Sequence, residues 1–220
     1  MRRIGRVMIA AALPLVAGAT AARAQLAGIP VYFNPHGGTG FGVAANVGLP
    51  NSDAGGGTAY GVAGSLGAGP ITVTAMVGGW KGTGFSSAQA SFGGDVAYKV
   101  FGGGLLPIAV AVQAGYGSVK IPVGINSTVT QTTIPLGVGL SFDPPLFPLK
   151  PWIAPRVDLV SGGGSNTTNF RISAGVNFNL LLGFGVHAAV DWGQKKVGST
   201  TISPLILGVG AHFNFHVPMM

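Results

Sequence analysis

The sequence predicts an all-β protein: an antiparallel, up-and-down transmembrane β-barrel of about ten strands, with eight also possible. Three observations carry that expectation. The chain starts like an exported protein, it is apolar and turn-rich yet poor in charge, and it alternates apolar with small or polar residues over membrane-crossing lengths.

The first 25 residues read "MRRIGRVMIAAALPLVAGATAARAQ". Arg2, Arg3 and Arg6 make a basic start, an apolar run follows, and Ala22-Arg23-Ala24 offers small residues around a cut before Gln25. That layout is a secretory signal peptide over residues 1–24. An N-terminal membrane helix needs about 20 apolar residues, and Arg23 interrupts the run too early. Removing the signal takes four basic residues with it. Eight remain against five aspartates, a net charge of +3, and no basic tract survives. Binding along a nucleic-acid backbone is therefore not expected.

The composition excludes two other classes. Charged residues are 8% of the chain, where about 25% is usual for a soluble domain. There is no Cys and no Glu, while Gly and Pro number 39 and 15. So many breakers, with no long uninterrupted apolar run after the signal, argue against a helical membrane protein.

Ten segments show the two-residue period of a strand whose faces differ: residues 40–49, 59–67, 71–80, 88–100, 108–118, 131–142, 151–160, 169–180, 183–192 and 203–215. In "NFRISAGVNFNL", Phe170, Ile172, Ala174, Val176, Phe178 and Leu180 alternate with Arg171, Ser173, Gly175, Asn177 and Asn179. Most segments have at least the nine to eleven residues with which a tilted strand crosses a bilayer. Because each segment has one greasy face, that face is expected to meet lipid and the other the lumen.

The connections alternate as well. Those at 67–70, 101–107, 143–150 and 180–183 are short, as periplasmic turns are. Those at 50–58, 81–87, 119–130, 161–168 and 193–201 are generally longer and more polar, as outer loops are. On the greasy parity, Phe41, Tyr98, Phe142, Phe178, Phe184, Phe213 and Phe215 fall near the short turns, and Tyr60, Tyr116, Phe170 and Trp192 near the long loops. Two aromatic girdles around an aliphatic belt suit rings at headgroup depth; only Phe92 falls near mid-strand. Pro135, Pro155 and Pro204 cannot donate to a ladder and predict bulges or strand ends. Trp80 and Trp152 fall on the lumen parity, which weakens the third and seventh strands. Residues 25–39 read as an N-terminal periplasmic or lumen-mouth segment, in which 28–35 would form either a further short strand or a stretch tucked into the mouth. The barrel then occupies 40–215, and 216–220 is a short tail.

In its alternation throughout, in "LKPWIAPRVDLV" and in its last strand, the chain resembles the small bacterial outer-membrane β-barrel superfamily, which includes outer-membrane protein A-like and opacity-like barrels. In that family the final strand ends on an aromatic preceded by alternating apolar residues, read by the barrel-assembly machinery. Leu205, Leu207, Val209, Ala211, Phe213 and Phe215 match if Phe215 is the anchor; the continuation to Met220 departs from the usual ending. The resemblance implies an integral outer-membrane protein in contact with outer-membrane lipid, monomeric rather than oligomeric. The family hosts adhesins, anchors, small pores and a few enzymes, so membership does not select a function.

The chemistry-bearing residues point to structure more than to catalysis. His212 and His216 are four apart, which on a strand is about 13 Å, too far to share a metal, and no Cys or Glu completes a site. His187, Asp191 and Ser203 form no defensible nucleophile–base–orienter set, so no enzyme is expected. "GGTGFG" and "FGGG" lack the following helix and Lys of a phosphate loop. No cofactor is expected. The lumen parity does gather polar side chains, with Asp158, Arg171, Asp191, Asp95, Arg156 and His187 as the candidate cluster. A turn centred near Leu181 and the 161–168 loop place Arg171 between Asp191 and Asp158. Two roles stay open: a structural or surface-interaction barrel with a filled interior, or a narrow porin-like channel for small solutes. A secreted soluble β-sandwich and a barrel-embedded hydrolase rank below both.

Overall fold

The computed structural model describes residues 26–30, 40–103, 106–123, 127–144, 147–197 and 199–216. The predicted signal peptide, most of the 25–39 segment and the end of the tail lie outside the described residues. Ten strands close into one antiparallel barrel: β1 (Gly40–Pro50), β2 (Thr58–Ala68), β3 (Ile71–Lys81), β4 (Gln89–Gly103), β5 (Leu106–Pro122), β6 (Thr128–Phe142), β7 (Leu149–Gly162), β8 (Ser165–Asn179), β9 (Phe184–Gly193) and β12 (Leu205–His216). Each pairs with its sequence neighbour, and β12 closes the ring by pairing with β1 from Gly40↔His216 to Pro50↔Ile206. Between β9 and β12 a small hairpin, β10 (Lys195–Val197) with β11 (Thr200–Ile202), stands apart from the barrel.

Alternation decides which side chains face out. Leu66 is 63% exposed and Val209 58%, whereas the inward Trp80 and Asp191 are each 1% exposed. A water-soluble protein has no reason to present so many Val, Leu, Ile and Phe side chains on the outward face of a closed sheet; a hydrocarbon environment does. Phe92 belongs with the long-loop aromatic band, because its ring lies 6.3 Å from that of Tyr116. Both inward tryptophans sit within regular strands.

The prolines mark breaks in pairing. The β5–β6 ladder skips from Ala114↔Leu136 to Gly117↔Thr133, beside Pro135. The β6–β7 ladder skips from Gly137↔Arg156 to Leu140↔Ile153, beside Pro155. Pro204 precedes β12, and its carbonyl accepts from Gly193 N–H.

The outer end departs from expectation. The predicted long loop 161–168 is a tight hairpin whose ladder runs on through Val160↔Thr167, Ser161↔Asn166 and Gly162↔Ser165. Gly163 and Gly164, at φ 61° and 79°, supply the two positive-φ positions that such a two-residue turn requires. Likewise β5 and β6 stay paired out to Pro122↔Thr128. Strands β5 to β8 are therefore 14 to 17 residues long, which carries that wall of the barrel beyond the others at the outer end.

Residues 26–30 lie inside the barrel, toward the long-loop end. Leu26, Ala27 and Ile29 are buried with Ala59, Trp80, Val119 and Ile121, with Met76 and Phe85 against them. Gly48 and Gly61 leave room for this turn, since a Cβ at either would run into Gly28 or Leu26.

Candidate functional site

Three groupings stand out in the lumen among the described residues. At the outer mouth, the β1–β2 connection folds inward as a strap. Asn51 caps a short 3-10 turn, Ser52–Ala54, by accepting from Ala54 N–H (2.9 Å). Its Oδ1 also accepts from Leu205 N–H (3.1 Å), and its Nδ2 donates to the Ser203 carbonyl (3.1 Å). Asp53 accepts from Ser203 N–H at 2.9 Å. The strap is thereby tied to the start of β12, with Ala54 packed on the buried Ile206. Below it the Trp80 indole N–H donates to the Gly56 carbonyl at 3.0 Å, and the ring meets Phe85 edge-on at 5.0 Å. The strap, Trp80 and residues 26–29 thus form one stack under the mouth on the β12–β1–β2–β3 side.

On the wall of β7, β8 and β9 four of the six candidate residues, Arg156, Asp158, Arg171 and Asp191, come together, with a different centre. Arg156, not Arg171, is the hub. Its Nε donates to Asp158 at 2.9 Å, its Nη2 to Asp191 at 2.6 Å and its Nη1 to Ser173 at 2.5 Å. Arg171 is close to both carboxylates, with Nε 3.1 Å from Asp191 and 3.8 Å from Asp158. All four side chains are almost fully buried. Two arginines and two aspartates make a neutral set, and only such pairing makes buried charge tolerable. The register explains the shift: Arg156 lies opposite Arg171, and Asp191 opposite Ser173.

Two predicted members lie elsewhere. Asp95 is on β4, opposite Thr74 and Gly115, with strands β5 and β6 between it and the cluster wall. His187 faces a different partner, forming the third grouping with His212, Asn46 and Asn179. His187 Nε2 is 2.7 Å from Asn46 Oδ1, His212 Nε2 is 3.1 Å from Asn179 Oδ1, and the two Nδ1 atoms are 3.0 Å apart. His187, His212 and Asn179 share the inward parity in the sequence, but the spacing alone does not join them. The missed signal lies in the glycines: Gly210 and Gly185 stand opposite the two histidines in register.

The hydrolase candidates do not assemble. Asp191 is engaged by Arg156 and Arg171, His187 by Asn46 and His212, and Ser203 lies on the strap through its backbone. Among the described residues no cluster of three or more His, Cys, Asp or Glu side chains has a metal-holding arrangement.

No protein-family model matches the chain, and no curated protein matches it in sequence. Solved structures do match in shape. The β domain of the Bordetella autotransporter BrkA superposes with a TM-score of 0.53 at 13% identity, covering 80% of this chain and 100% of that one. The fold is that of the outer-membrane β-barrels. Also similar are the N-terminal β-barrel domain of Pseudomonas aeruginosa OprF (TM-score 0.44, 14% identity, covering 82% and 100%) and Neisserial surface protein A (0.40, 16%, 80% and 98%).

Proposed function

We propose that this chain is an integral outer-membrane barrel with a sealed lumen, which serves as a structural or surface-interaction protein through its outer hairpins and loops. The observation that carries the reading is the stack of the 51–57 strap, Trp80 and residues 26–29 beneath the outer mouth. An open passive pore needs a continuous wet path, whereas this side of the lumen is occupied by apolar side chains that exclude water. The export signal and the outward apolar face support residence in the outer membrane. Assembly would use the last strand, whose Leu207, Val209 and Phe215 face outward, with Leu205 and Phe213 on the same parity. The barrel acts as a monomer in outer-membrane lipid.

A narrow solute channel is the second reading, favoured by the polar inward side chains Ser91, Asp95, Gln113 and Ser141 on β4 to β6. Planar-bilayer recording separates the two. The chain beginning at Gln25 is expected to show no steady ohmic conductance. A variant starting at residue 31 and carrying Trp80→Ala should conduct, since both lose the filler under the mouth. Steady conductance by the intact chain would overturn the sealed-barrel reading.

A further inference from the structure

The four side chains Asn46, His187, His212 and Asn179 sit on four adjacent strands: β1, β9, β12 and β8. In ladder order these are β1–β12–β9–β8, the seam at which the first and last strands close the barrel. Each histidine reaches past its neighbour. His187 on β9 crosses Gly210 on β12 to meet Asn46 on β1, and His212 on β12 crosses Gly185 on β9 to meet Asn179 on β8. The glycines make the crossings possible, for a Cβ on Gly210 would collide with His187 Nε2 and one on Gly185 with His212 Nε2.

The ring geometry shows how the two histidines meet. Their centroids are 5.3 Å apart, their planes differ by 23°, and the Nδ1 atoms are 3.0 Å apart. The excess of the centroid distance over the nitrogen distance is what two imidazole radii occupy. Both Nδ1 atoms therefore lie close to the line between ring centres, and their in-plane lone-pair directions point at each other. Each Nε2 meanwhile faces an amide oxygen, which only accepts. Both Nε2 atoms must then carry hydrogen. A neutral imidazole has one N–H, so two neutral rings would bring two bare Nδ1 lone pairs together at hydrogen-bond distance. One further proton resolves this as Nδ1–H···Nδ1. A second would set N–H against N–H.

We propose that His187 and His212 form a proton-binding site that holds one shared proton between their Nδ1 atoms, and that this singly cationic pair clasps the closing seam of the barrel. With one extra proton all three contacts are hydrogen bonds. With none, an amide must turn over to keep them; with two, the central bond is lost. The in-line 3.0 Å separation suits a proton, whereas a metal ion bound by two imidazoles at about 2.0 Å each would require the rings to move apart. The other ionisable groups on the surrounding strands are Asp191 on β9, Arg171 on β8 and His216 further along β12; β1 carries none. Asp191 is bound to Arg156 and Arg171, and Lys150 on β7 beyond β8 is paired with Asp143 at 2.7 Å.

The test is a proton count on the folded barrel in detergent micelles, with ¹⁵N-labelled histidine. In a titration carried to acid pH, the four ring nitrogens of this pair should pass through a state that holds three protons, with a scalar coupling across N–H···N that joins the two rings. A double-mutant cycle with His187→Gln and His212→Gln supplies the energetic readout. The pair should be coupled by about tenfold in the unfolding equilibrium where the single proton is held, and the coupling should vanish at acid pH. Two independent neutral rings without a coupling at every pH would overturn the proposal. So would stoichiometric metal recovered with the protein, or a cycle coupling that does not change with pH.

Discussion

Replacing Arg156 by Met tests the ionic cluster at its hub. Met keeps much of the aliphatic volume and removes three donors, those to Asp158, Asp191 and Ser173. The two carboxylates stay buried, at 2% and 1% side-chain exposure, with Arg171 as their remaining cation. Breaking a buried pair on one side costs about 3–5 kcal/mol, because the charge left behind is uncompensated. Arg171→Met leaves each carboxylate its Arg156 bond and takes from the carboxylates a 3.1 Å hydrogen bond and a 3.8 Å contact, so its cost through the ionic cluster should be nearer 1.5–3 kcal/mol, the scale of one charged hydrogen bond. Replacing all four charges together, by Arg156→Met, Arg171→Met, Asp158→Leu and Asp191→Leu, should cost less than Arg156→Met alone, since no orphan charge remains. Urea unfolding in micelles, followed by gel mobility and by the fluorescence of the three tryptophans, gives each value. Raising salt from 0.1 to 1 M should change the ranking little, as ions screen exposed charges and not buried ones. Equal costs for the two arginine variants would refute the Arg156-centred geometry, and costs below about 1 kcal/mol for both would mean that the cluster is hydrated.

Two further outcomes follow from the wall and the strap. The chain has no cysteine, so single cysteines at Val176 and Asn177 can each carry a small spin label; a lipid-soluble relaxation agent should reach position 176 and not 177, and Val176→Arg should cost about 2–4 kcal/mol, as for a cation at bilayer mid-depth. Asn51→Ala removes the cap of the strap and its two ties to the start of β12, at a cost of about 1 kcal/mol, and should speed amide exchange at Ala54 and Leu205 while leaving the mid-barrel ladder unchanged.

Strand number and facing were legible in the sequence because both rest on a period of two, and every residue of a strand reports on it. Height along the wall was not, because it is set by turn length. The expected turns placed Arg171 opposite both Asp158 and Asp191. The observed ladders place it opposite Arg156 and Gly193, a slip of two residues at each hairpin. A slip of one would have turned every side chain to the other face, but a slip of two preserves the face and changes only the neighbour. Four of the six candidate residues, Arg156, Asp158, Arg171 and Asp191, therefore still meet on the inward face, around Arg156 and not Arg171, while Asp95 and His187 lie elsewhere. The histidine pair was hidden for the same reason. Joining His187 to His212 requires the β9–β12 register, and the long connection between those strands, with its own small hairpin, conceals it.

The residues that fitted the pattern worst turn out to be those that fill the barrel. Ten strands enclose more space than eight, and inward positions rich in Gly, Ala and Ser leave much of it empty. A void of that size forfeits packing or admits water. Trp80 and Trp152, on the wrong parity for a girdle, are 1% and 5% exposed inside the barrel. Glycine makes the room for them: a Cβ at Gly55 or Gly82 would stand 2.6 or 2.7 Å from the Trp80 ring, and one at Gly175 would stand 2.6 Å from that of Trp152. Residues 26–29, which have no membrane-crossing pattern, pack against the first of these rings. Small inward residues, two inward tryptophans and an apolar N-terminal turn are thus one arrangement, in which wall and connections are kept free of side chains where a bulky filler passes. Adding side chains at those glycines should expel the filler before it breaks the barrel, because the ladder hydrogen bonds do not depend on what occupies the lumen.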